Sequence, residues 1–135
     1  MPHITIEYSA NVATHHDIDA LVGVVHSAAL ADGLASQSAL RTRAALRDHY
    51  RAMTGDPQFA FIAIACRIGP GRSDDDKRSF IEAILDAAEG HLVETPLAIA
   101  WSIELTEIDA EFRINRNHVR TALENDSTPD QAGEN

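Results

Sequence analysis

Pro2-His3-Ile4-Thr5-Ile6-Glu7-Tyr8, directly after Met1, sets Ile4, Ile6 and Tyr8 against His3, Thr5 and Glu7. That period of two predicts a strand with one apolar and one polar face. At its head stands Pro2. As the first residue of a strand, a proline loses nothing by lacking an N–H. If Met1 is trimmed, the same residue becomes a terminal secondary amine, and an α-amino group titrates at about 7.7 to 8.0. Burial or nearby cations would lower that value, making the amine a usable general base.

Outward from this strand the pattern changes to helical. After residues 9 to 13, Thr14 is read as the cap of a helix in which Ile18, Leu21, Val22, Val25 and Ala29 recur at three- and four-residue steps. Gly33 is the expected stop. Residues 39 to 51 read as extended, with Arg41, Arg43 and Arg47 on one face and Leu40, Thr42, Ala44 and Leu46 on the other. Alternating arginines suit either an exposed edge strand or an anion site. Thr54-Gly55-Asp56-Pro57 carries turn chemistry.

The second half repeats the order. Residues 59 to 68 are apolar on both faces, as in an interior strand, and Gly69-Pro70-Gly71 ends the run. Ser73 before Asp74, Asp75 and Asp76 is a capped helix start matched to the helix dipole. Phe80, Ile81, Ile84, Leu85 and Ala88 form the stripe of a helix ending near Gly90, and Leu97 to Glu107 alternates as a last strand. An offset of 60 positions aligns the halves, Leu21 with Ile81, Val25 with Leu85 and Thr42 with Ser102, which reads as an internal duplication. That alignment sets Pro2 opposite Ile62 and Arg72 opposite Val12. The fold expected is α+β: a two-fold repeat of β-α-β, 2–53 and 59–108, giving a four-stranded sheet with two helices on one face. A segment at 109–123, holding Arg113, Arg116, His118 and Arg120 among Phe112, Ile114 and Val119, is too apolar for a free tail and is expected against a neighbouring subunit. Residues 124–135 are expected to be disordered.

Four stretches resemble 5-carboxymethyl-2-hydroxymuconate isomerase of the tautomerase superfamily over about residues 2 to 123. They are Pro2 through Asn11, Leu40-Arg41-Thr42-Arg43, Phe59-Ala60-Phe61-Ile62 with Ile68-Gly69-Pro70-Gly71-Arg72-Ser73, and Phe112 through Val119. The resemblance implies a tautomerase-like domain at 1–123 and a keto-enol isomerisation with double-bond shift. It implies an unsaturated polycarboxylate substrate, Pro2 as catalytic base, and Arg72, Arg41 and Arg43 as carboxylate ligands. It implies no cofactor, and a homotrimer. Two other readings stand beside it: a hydratase or dehalogenase using the same proline on unsaturated acids, and a non-catalytic trimeric binding module.

Composition limits the partners. A net charge of −10 over 135 residues argues against nucleic acid and anionic membrane. The cations are ten arginines and Lys77, and the guanidinium fork suits two-point binding of carboxylates. No apolar run reaches the roughly 18 residues of a membrane span, and no leader pattern opens the chain, so the cytoplasm is the expected compartment. The one cysteine, Cys66, excludes an intrachain disulfide and reads as core. His15 and His16 with His26 or His49 complete no ligand set, so no metal is expected. Ser73 is better explained as a cap than as a nucleophile.

Overall fold

A computed structural model describes residues 2–126. Strand β1 (His3–Ser9) is followed by α1 (Ala10–His15), α2 (Ile18–Asp32) and β2 (Arg41–Arg47). Then come β3 (Phe59–Ile68), α3 (Asp74–His91) and β4 (Ala98–Glu107), with a short 3-10 turn (Ala110–Phe112) and α4 (Val119–Asp126) closing the described chain. The sheet order is β2-β1-β3-β4. β1 pairs with β2, and β3 with β4, in parallel, while β1 and β3 run antiparallel at the centre with Ile6 opposite Ile64. This is the two-fold β-α-β arrangement expected from the sequence.

The alternation decides which face is covered. Ile4, Ile6 and Tyr8 of β1 and Ala60, Ile62, Ile64, Cys66 and Ile68 of β3 are buried beneath Leu21, Val25 and Ala29 of α2 and Phe80, Ile84 and Ala88 of α3. Each of the leucine, isoleucine, valine and phenylalanine side chains among them contributes about 1.5–3 kcal/mol by leaving water. Burial also pushes the Cys66 thiol up to about 12, so it stays protonated core. The opposite face, with Thr5, Ala45, Ala63, Ala65, Ala98, Ala100 and Ser102, has no helix over it among the described residues.

Local chemistry sets the boundaries. Gly33 ends α2 at φ 91°, left-handed backbone that favours glycine. The Ser73 hydroxyl accepts from the Asp76 N–H and starts α3, as its sequence predicts. α3 itself runs one residue past Gly90.

Several expectations are corrected. The first helix is two helices: the chain is extended at His16, and Asp17 is the cap of α2, its carboxylate accepting from the Ala20 N–H at 3.2 Å. Thr14 lies inside α1. β2 stops at Arg47 because Ser9, its pairing partner, is the last residue of β1. The order of elements repeats, but the register between the halves is not a uniform 60. The buried triplet of α2 matches that of α3 at 59 positions, Leu21 with Phe80, Val25 with Ile84 and Ala29 with Ala88. Thr42 faces α2, bonded to His26, whereas Ser102 lies on the uncovered face, so those two are not equivalents. The pairings of Pro2 with Ile62 and of Arg72 with Val12 lose their basis accordingly. At the far end, residues 124–126 belong to α4; residues 127–135 lie outside the described residues.

Candidate active site

Pro2 is buried at the end of the central strand pair, and its carbonyl accepts the Arg41 backbone N–H at 3.1 Å. Beside it opens a cavity of about 380 Å³. The loop from α2 to β2 forms one wall with Leu34, Ser36 and Ala39, and the end of β3 forms another with Ile68, Gly69 and Pro70. Three guanidinium-bearing residues complete it: Arg72, Arg113 and Arg120.

Each arginine arrives by a different route. Gly71, at φ 105°, turns the chain so that Arg72 precedes the α3 cap. One Arg72 N–H donates to the Leu34 carbonyl at 3.0 Å, which ties it to the opposite wall and leaves other donors of its fork available. Arg113 and Arg120 come from the C-terminal segment. That segment is held beside β3 by the Ile108 N–H on the Ile68 carbonyl at 2.7 Å. Asn117 fastens it across the mouth, its side-chain amide donating to the Ser38 carbonyl at 2.7 Å and its oxygen accepting from the Val119 N–H at 2.9 Å. The Arg113 guanidinium lies on Gly69, within 3.1 Å of where a β-carbon there would sit.

Of the residues expected to bind substrate, Arg72 therefore lines the Pro2 cavity, and Arg41 and Arg43 do not. Both project from the uncovered sheet face. Arg43 bonds His3 Nδ1 at 3.0 Å, and Arg41 donates to the Ala39 carbonyl at 3.2 Å. Burial first, then Arg43, Arg41 and Arg67, hold the His3 imidazole below its ordinary range. Arg41 touches the cavity wall only through Pro2 and Ala39. Arg113 and Arg120 are the lining residues that sequence reading noted without assigning a role. Their sequence signal was a basic run threaded with apolar residues just after the last strand.

The doubled β-α-β sheet, with buried Pro2 and three arginines around one cavity at its end, is the fold of the tautomerase superfamily, and the class is that of its isomerases. The model of one protein family, "5-carboxymethyl-2-hydroxymuconate isomerase", matches residues 2–123, and the chain belongs to that family. It is 26% identical over 122 residues to the 5-carboxymethyl-2-hydroxymuconate Delta-isomerase of Escherichia coli, covering 88% of this chain and 96% of that protein. Among solved structures it resembles a 5-carboxymethyl-2-hydroxymuconate isomerase from Deinococcus radiodurans R1, with a TM-score of 0.77 at 23% identity over 90% of this chain and 92% of that one. In fold alone it also resembles a protein described as a fused 4-OT wild-type symmetric trimer, at a TM-score of 0.55 and 16% identity over 78% of this chain and 85% of that one.

Proposed function

We propose that this isomerase shifts a double bond in 5-carboxymethyl-2-hydroxymuconate or a closely similar unsaturated polycarboxylate, with the Pro2 nitrogen as general base and Arg72 as a carboxylate ligand. The observation that carries the reading is the meeting of buried Pro2 with three arginines around one cavity. The neutral amine takes the proton of the enol hydroxyl, electrons move along the conjugated chain, and the same nitrogen returns that proton to a carbon farther along. No atom or electron is gained or lost. The intermediate dienolate carries its charge among fixed guanidiniums, which need no reorganisation as it forms. These cations also favour the neutral amine, coupling anion binding to base strength.

The chemistry requires that Met1 be removed, so intact mass is the first check. A chain with a lysine inserted between Met1 and Pro2, which keeps the Pro2 nitrogen in a peptide bond, is expected to have a kcat lower by about 10² to 10⁴ than that of the trimmed chain, the usual contribution of a general base. Equal rates for the two proteins would remove Pro2 from the mechanism.

A homotrimer belongs to the same proposal. Its support is the sheet face without a helix over it, where Ala45, Ala63, Ala65 and Ala100 lie among charged residues at the strand ends, together with Phe112 and Ile114, each 80% exposed in the single chain. Arg41 and Arg43, on that same face, would then meet a neighbouring subunit. Light scattering should give three times the chain mass, and a monomer at assay concentration would contradict the assembly.

A further inference from the structure

The C-terminal segment places Arg113 and Arg120 on the wall of the cavity that Pro2 and Arg72 share. None of the ion pairs found among the described residues involves any of these three arginines. Among the described residues, no carboxylate lines the cavity. Asp32 and Asp76 line a smaller neighbouring cleft together with Arg72, where Asp32 already accepts from the Ser79 hydroxyl at 2.9 Å, and neither forms an ion pair with Arg72 among the described residues. In a chain of net charge −10, three positive charges converging on one space without a counter-charge repel one another. An anion bearing several carboxylates relieves that repulsion and fits the fork geometry of guanidinium.

The two added arginines are held in place by contacts that serve no evident core. Asn117 donates to the Ser38 carbonyl on the far wall and accepts the Val119 N–H at the start of α4, which carries Arg120. Gly69 leaves room for the Arg113 guanidinium to lie against the strand end. From this geometry we infer that Arg113 and Arg120 are the charge-counting residues of the site: they bind the carboxylates beyond the one taken by Arg72 and so select tricarboxylate over dicarboxylate substrates. This rests on the reading of the Pro2 cavity as the substrate site and extends it to two residues and a substrate charge.

The test compares kcat/KM for 5-carboxymethyl-2-hydroxymuconate with that for 2-hydroxymuconate, which lacks the carboxymethyl group, in wild type, Arg113→Ala and Arg120→Ala. The expected result is a loss of tenfold or more on the tricarboxylate with less than threefold on the dicarboxylate, for at least one variant. Gly69→Ala, which crowds Arg113, should show the same selective loss at smaller size. Equal losses on both substrates, or none, overturn the inference while leaving the isomerase reading intact. Should Arg113→Ala not fold, as judged by circular dichroism and elution volume, Arg113→Gln carries the same comparison. Calorimetric titration with propane-1,2,3-tricarboxylate and with glutarate separates the two ideas further. If wild type turned over neither substrate, the isomerase reading would fail. A tricarboxylate preference in binding that Arg113→Ala abolishes would still uphold the charge-counting role, and no such preference would overturn it.

Discussion

The antiparallel pair β1 and β3 gives the sheet two ends built from similar parts and finished in opposite ways. At the Pro2 end a cavity lies open between the α2–β2 loop and the C-terminal segment. At the other end the space is stitched shut. Ser9, fully buried, accepts from the Phe61 N–H at 3.0 Å and donates to Asn11 Oδ1 at 2.7 Å. The Asn11 amide donates to the carbonyls of Pro57 and Phe59 at 3.2 and 2.8 Å, and His16 Nε2 bonds the Thr95 hydroxyl at 2.7 Å. α1, which has no counterpart between β3 and α3, closes that end. The repeated β-α-β order gives the sheet two comparable ends, and the hydrogen-bonding residues after β1 close one of them. At the other, Arg72, Arg113 and Arg120 form no ion pair among the described residues, which suits the proposed anion site.

Three substitutions probe that division. Ile64→Ala empties the middle of the sheet that both ends share, at a residue 1% exposed, and should cost about 2–5 kcal/mol in denaturant unfolding. A loss under 1 kcal/mol would mean that the two halves do not depend on a common core. Asn11→Ala removes the stitching at the closed end; about 1–2 kcal/mol of stability should go, with kcat/KM staying within twofold. A large fall in activity at unchanged stability would instead put chemistry at the closed end.

The smallest effect is on pH dependence. Because His3 is held below its ordinary 6.5 in the folded chain, the unfolded chain takes up its proton first as pH falls. The stability present above about 6.5 is therefore lost below it. His16 shares the direction, through burial first and then His15 and His91. His3→Gln should make the drop in Tm between about pH 6.5 and 5 shallower without abolishing it, and an unchanged slope would mean that His3 is not held neutral by its arginine neighbours.

What the sequence made legible was whatever depends on neighbours in the chain. Alternation in β1, the stripes of α2 and α3, the Ser73 cap and the Gly33 stop are local patterns, and the repeated order of elements followed from them. The break at His16 was hidden because Thr14 and Asp17 are both competent caps three residues apart, and only the burial of Val12 and Leu21 on separate helices decides between them. The register of the repeat is ambiguous by one position in the sequence because Leu21 and Val25 align with Ile81 and Leu85 as well as with Phe80 and Ile84; only Ala29 separates the two, falling on Ala88 in one register and on Glu89 in the other. Arg41 and Arg43 were correctly placed on one face of β2. Alternation assigns faces, however, and the cavity lies at the end of the sheet, where only Arg72 of the three expected ligands reaches. Arg113 and Arg120 were invisible as lining residues because what brings them there, Asn117 on Ser38 and Arg113 on Gly69, spans distant parts of the chain.

The most direct measurement is an NMR titration of the protein labelled with ¹⁵N-proline, following the Pro2 nitrogen. A free amine that titrates below the ordinary α-amino range of about 7.7 to 8.0 is expected, since burial and the surrounding guanidiniums both disfavour its charged form. A Pro2 nitrogen that shows no titration because it is still acylated by Met1, or one that holds its proton above that range, would contradict the account.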